Sequence, residues 1–102
     1  MAFFIKQNNE LVQLSGNLTV STAHLVRTHI ETLLKNIDFF TIDLSEIDSI
    51  DTGSVLELRS LVETAFKKGK KIAFMGKQNQ KIIGAFKRCN VNLFKGKFTI
   101  AA

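Results

Sequence analysis

Residues 49–69 read SIDTGSVLELRSLVETAFKKG, and they decide between two folds. Asp51, Thr52, Gly53 and Ser54 spell the loop in which aspartic proteases hold their catalytic carboxylate. A chain of 102 residues is long enough for one subunit of a dimeric protease of the retroviral kind, and KIIG at 81–84 echoes a late segment of those enzymes. In such a protease, however, the loop lies between strands of an all-β domain and a glycine-rich flap follows. Here Val55, Leu58, Leu61, Val62, Ala65 and Phe66 recur at helical spacing, and 54–68 contains no glycine. Laid on a strand, that stripe would turn half its apolar residues to water. The segment is therefore a helix, ended by Gly69 after a lysine-rich last turn. Asp51 stands at its N-terminus, which is a different job from that of a catalytic acid.

Two capping schemes fit that start. Asp51 can accept from the first backbone N–H groups through its carboxylate. Alternatively, Ser54 with Glu57 three residues on makes a capping box. The polar face carries Glu57, Arg59, Glu63 and Lys67, the last two spaced as an i,i+4 pair. The two hydroxyls, Thr52 and Ser54, read as exposed beside unpaired N–H groups, a place that suits a phosphorylatable switch or a partner contact.

Working outward, FFTIDLS at 39–45 is a β-branched and aromatic strand, and KIAFMG at 71–76 is another. Between LVQLS and the first of these, Ala23, Val26, Ile30, Leu33, Leu34 and Ile37 mark a helix that Ser21 or Thr22 can cap. FFIK and LVQLS flank QNNE as a hairpin, KIIGAFKRC is a short helix, and KFTIA at 97–101 a weak last strand. The order is β-β-α-β-α-β-α-β. It predicts an α/β fold, a single small domain over 1–102 with a mixed sheet packed by helices, whose strand–helix–strand units make parallel crossovers.

Composition narrows the function. No apolar run reaches the roughly 18 residues of a membrane span, and the start MAFFIKQNNE lacks the pattern of a secretory signal. The lone Cys89 cannot form an internal disulfide and reads as a small, semi-buried residue near a helix end, in keeping with a reducing cytoplasm. The net charge is +5, gathered in KKGKK at 67–71 and in later lysines. Aromatics do not alternate with them as a base-stacking platform requires, so they read as solvated helix ends and not as a nucleic-acid surface. Asp43, Glu46, Asp48 and Asp51 crowd together, but a calcium loop begun at Asp48 puts Ile50 at its third position and Arg59 at its twelfth. His24 and His29 are five apart and cannot share a metal as an i,i+4 pair would. No metal or cofactor is expected.

The block from Thr41 to Gly76, TIDLSEIDSIDTGSVLELRSLVETAFKKGKKIAFMG, resembles the STAS domain, found in anti-sigma factor antagonists, in transporter tails and in an accessory subunit of the Mla lipid transporter. LSGNLTVSTAHLV resembles that family's Gly-x-Leu approach to the first helix. In the antagonists the motif is Asp-Ser-Ser-Gly, and a kinase phosphorylates the second hydroxyl residue. On this chain Asp51 takes the Asp position and Thr52 the first hydroxyl, while the phosphoacceptor position falls on Gly53 and Ser54 stands where glycine is usual. The Mla subunit has Asp-Thr-Gly there, with the threonine in the surface that binds the transporter's ATPase. The resemblance implies a non-enzymatic, cytoplasmic domain that binds the ATPase of an Mla-type ABC transporter for phospholipid transport and outer-membrane lipid asymmetry. It would touch the membrane only through that transporter. Asp51, Thr52, Gly53 and Ser54 would form the contact, with Glu57 and Arg59 at its rim. The alternative is an anti-sigma factor antagonist, bound to a kinase-like anti-sigma factor and phosphorylated at Thr52 or Ser54.

Overall fold

A computed structural model of the chain describes residues 2–95. The strand expected at 97–101 lies outside them. Strand β1 (Phe4–Asn8) turns through Asn9 and Glu10 into β2 (Leu11–Leu18), with Asn8 opposite Leu11 in an antiparallel pair. Asn9 takes φ 57°, a left-handed conformation that asparagine tolerates better than most residues. Helix α1 (Val20–Leu33) leads to β3 (Phe39–Ile50), helix α2 (Thr52–Lys67) to β4 (Lys71–Met75), and α3 (Gln80–Arg88) to a single 3₁₀ turn at Leu93–Lys95. The sheet order is β1-β2-β3-β4, and β2–β3 and β3–β4 are parallel. The result is a small α/β fold with a mixed four-stranded sheet and three helices.

The core joins alternate sheet residues to the helix stripes. Val12, Leu14 and Leu18 of β2 and Phe40, Ile42 and Leu44 of β3 are fully buried, and they meet Ala23, Val26 and Ile30 of α1 and Val55, Leu58 and Leu61 of α2. Each large aliphatic side chain so buried contributes about 1.5–3 kcal/mol. Leu33, Ile37 and Cys89 pack against this core while half-buried, Cys89 as the cap of α3.

Three expectations need correction. Phe66, counted with the α2 stripe, is 69% exposed. Periodicity fixes its angle about the helix axis, but it lies in the last turn, and the angle says nothing of what lies beneath. β2 runs past the expected LVQLS, 11–15. Gly16, at φ 97°, sits at a register shift against β3 and the strand continues to Leu18, so α1 begins at Val20 with Thr19 as its cap, not Ser21 or Thr22. Thr22 instead completes a capping box with Thr19, its hydroxyl accepting from the Thr19 N–H at 2.8 Å. Finally, Glu63 and Lys67 form no ion pair among the described residues. Gly69 stops α2 as expected, at φ 72°, with the Lys70 N–H donating to the Ala65 carbonyl at 2.8 Å and the Gly69 N–H to that of Phe66 at 3.0 Å.

β3 outruns its neighbour. β4 pairs with it only as far as Asp43, and the overhang is held by Asn79, whose side-chain amide donates to the carbonyls of Leu44 and Ile47, both at 3.0 Å. The same side chain caps α3 by accepting from the Lys81 N–H at 3.1 Å.

Candidate functional site

Because both crossovers are parallel, α1 and α2 begin at the same edge of the sheet, where β2 and β3 end. Asp51 serves both starts. Its Oδ1 accepts from the Ser54 N–H at 2.8 Å, capping α2, and its Oδ2 accepts from the Val20 N–H at 3.1 Å, in the first turn of α1. One carboxylate thus faces the positive ends of two helices. Burial alone would raise its pKa, but hydrogen bonds from Ser54 and from the Val20 N–H outweigh this and hold it below the ordinary carboxylate value. Of the two capping schemes the sequence allowed, Asp51 is the one formed.

Ser54 departs from expectation. It is fully buried, and its hydroxyl donates to the Leu18 carbonyl at 3.1 Å. It is a strut between α2 and the end of β2, so only one of the two hydroxyls read as exposed is exposed. That one is Thr52, the first residue of α2, whose side chain makes no hydrogen bond among the described residues. Gly53 is half-buried, and a Cβ there would overlap the Val20 γ-methyl.

The remaining predicted residues separate by helix angle. Thr52 and Arg59 are seven apart and share one face of α2, with Leu56 between them at 46% exposure. Glu57 is on a different face and turns to α1. Its carboxylate takes Arg27 Nε at 2.7 Å and bonds Arg27 Nη2, while Arg27 also reaches Ser60 Oγ at 3.0 Å and Glu31 at 3.1 Å. The bond to Glu57 raises the Arg27 pKa, against the opposing effect of partial burial. Two exposed apolar residues escaped the sequence reading. Val20, 64% exposed, stands beside Gly53, and Leu56 continues the Thr52 face. A phase test would have found Leu56, which lies about 100° off the buried stripe of α2. The assembled surface is Thr52, Leu56 and Arg59 with Val20 alongside. Among the described residues no group of three His, Cys, Asp or Glu side chains could hold a metal ion.

An exposed hydroxyl, two exposed aliphatic side chains and one guanidinium thus gather at the start of α2, on a small α/β domain. Residues 1–92 match the family model described as Mlab, STAS domain, and the chain belongs to that family. No curated protein sequence matches it. Among solved structures, TM1081 is 22% identical, with all of this chain matched to 82% of that one and a TM-score of 0.69. The unphosphorylated anti-sigma factor antagonist SpoIIAA is 14% identical, over 99% of this chain and 89% of that one, at 0.60. The STAS domain of a SulP transporter from Vibrio cholerae is 15% identical, over 92% and 82%, at 0.50. The chain also matches, over 70% of its own length, a part of the larger protein Mglu, spanning 18% of it, with 19% identity and a TM-score of 0.58. At these identities the likeness concerns the fold.

Proposed function

We propose that this STAS domain is a non-enzymatic accessory subunit that docks on the cytoplasmic ATPase of an Mla-type ABC transporter moving phospholipid. It would dock through Thr52, Leu56, Arg59 and Val20 and stabilise the assembled ATPase. The observation that carries the reading is Gly53. Where antagonists of the family carry the phosphorylated hydroxyl, this chain has a glycine whose missing side chain leaves room for the Val20 methyl. The description of the matching family supports the same branch. The other candidate acceptor, Ser54, has its hydroxyl enclosed and engaged. Asp51 and Gly53 then set the geometry, Ser54 secures the helix beneath it, and Glu57 acts through Arg27 by fixing α2 against α1. No described helix is long and apolar enough to cross a membrane. In this reading the domain is cytoplasmic because its partner ATPase is, and it reaches the bilayer through that partner.

The test is a charge on the docking face. Thr52→Glu keeps a helix-compatible residue in the first turn, where an acid suits the dipole, so melting should change little. At a close-packed contact the same carboxylate would be buried without a partner, at a cost of several kcal/mol, enough to lose a micromolar complex. Thr52→Glu should therefore fail to co-purify with the ATPase subunit. Lys35→Glu, in the turn after α1 at the far end of the helices, should bind normally. Equal binding by Thr52→Glu and the parent would place the interface elsewhere.

A further inference from the structure

Beside the docking face lies a groove of about 370 Å³, between the overhang of β3 and α3, lined by Asp48, Ser49, Lys81, Gly84 and Arg88. We propose that this groove receives an Asp or Glu side chain from an exposed segment of the same protein partner, seated over Gly84 between Lys81 and Arg88. The inference rests on the docking reading and extends it to a second anchor.

Three observations point to it. The β3 wall of the groove, Asp48 to Ile50, runs directly into Asp51 and Thr52 along the chain, so the groove is built from the residues next to the docking face. Its cations are also unspent. Lys81 and Arg88 make no ion pair among the described residues, and neither does Asp48 across the groove, whereas Arg27 and Lys70 each have acidic partners. Gly84 is the third observation. It lies inside a nine-residue helix, where glycine costs stability relative to alanine. Packing within the chain does not require it: an added Cβ would meet only Arg88 Nη1, at an ordinary 3.5 Å. A glycine there leaves space above the helix, and a side chain from outside can use it. The guanidinium and ammonium at its edges fit a carboxylate, the guanidinium by paired N–H donors. Asp48, in the same groove, can accept from a backbone N–H of the segment that carries the carboxylate, a donor that a phosphate group lacks.

The experiment measures affinity for the purified ATPase subunit by calorimetry at two salt concentrations, with melting curves for each variant. Gly84→Ala should melt higher than the parent yet bind less tightly, and Gly84→Leu, which fills the groove, should lose at least about tenfold in affinity. Lys81→Glu with Arg88→Glu should lose as much and bind with a shallower salt dependence. If all three bind within twofold of the parent while Thr52→Glu does not bind, the groove inference is overturned and the docking reading stands. If Thr52→Glu binds normally but the α3 variants are weakened, the docking face is misplaced and the groove stands alone. A parent that floats with phosphatidylglycerol vesicles through Lys81 and Arg88, with partner affinity untouched by their reversal, overturns the protein occupant in favour of a membrane.

Discussion

Replacing Asp51 by alanine removes a cap from α2 and an acceptor from α1 in one step. Loss of an N-cap acceptor costs about 1 kcal/mol. The Val20 N–H loses its acceptor too, but Val20 lies at an exposed edge where water replaces much of that bond, so its share is about 0.5–1 kcal/mol. The sum is about 1.5–2 kcal/mol. For a domain of this size each kcal/mol moves the melting temperature by roughly 4–8 °C, so Asp51→Ala should melt about 6–16 °C below the parent at neutral pH. Asp51→Asn keeps an acceptor oxygen but not the charge, and should fall between. The pH dependence separates charge from shape. Asp51 has a lowered pKa in the folded state, so its ionised form contributes stability above the unfolded carboxylate value, and the contribution is lost as pH falls through the folded one. The gap between parent and Asp51→Asn should therefore be widest above about pH 5 and close in acid. Differential scanning calorimetry at several pH values reads both effects. A loss under 2 °C for Asp51→Ala, or a gap to Asp51→Asn that ignores pH, would refute the double-cap account.

Two further outcomes follow from the same geometry. Arg27→Ala and Glu57→Ala should each destabilise by about 1 kcal/mol, and the double variant by clearly less than their sum, because both break one partly exposed clamp; additive losses in urea titration would contradict it. Gly53→Ser should lower the melting temperature, since its Cβ meets Val20, and Val20→Ala should restore it; a Gly53→Ser chain as stable as the parent would remove the packing reason for glycine.

Much of this was legible because periodicity and turn chemistry agree along the chain. The α2 stripe is a case where every apolar residue but one lies at the depth its spacing implies, and Gly69 adopts the left-handed cap that its position after Lys68 suggests. The Thr41–Gly76 block led to the correct family because a strand end, a capping acid and an apolar helix recur there in fixed order. What stayed hidden depends on partners distant in sequence. Nothing near Ser54 says that the Leu18 carbonyl waits for its hydroxyl, so a buried strut read as an exposed switch. Glu57 looked free because its partner, Arg27, lies thirty residues earlier on another helix. The length of β3 was equally unreadable, since the residue that supports its overhang is Asn79, more than thirty residues later at the start of α3.

The central claim concerns which protein covers Thr52. Purifying the tagged chain from its native host in mild detergent, and identifying the proteins that remain at stoichiometric amounts by mass spectrometry, addresses it directly. The docking account predicts an ABC-transporter nucleotide-binding subunit together with its permease, both lost on Thr52→Glu. Recovery of a kinase-like anti-sigma factor in their place, with phosphate on Thr52, would contradict it.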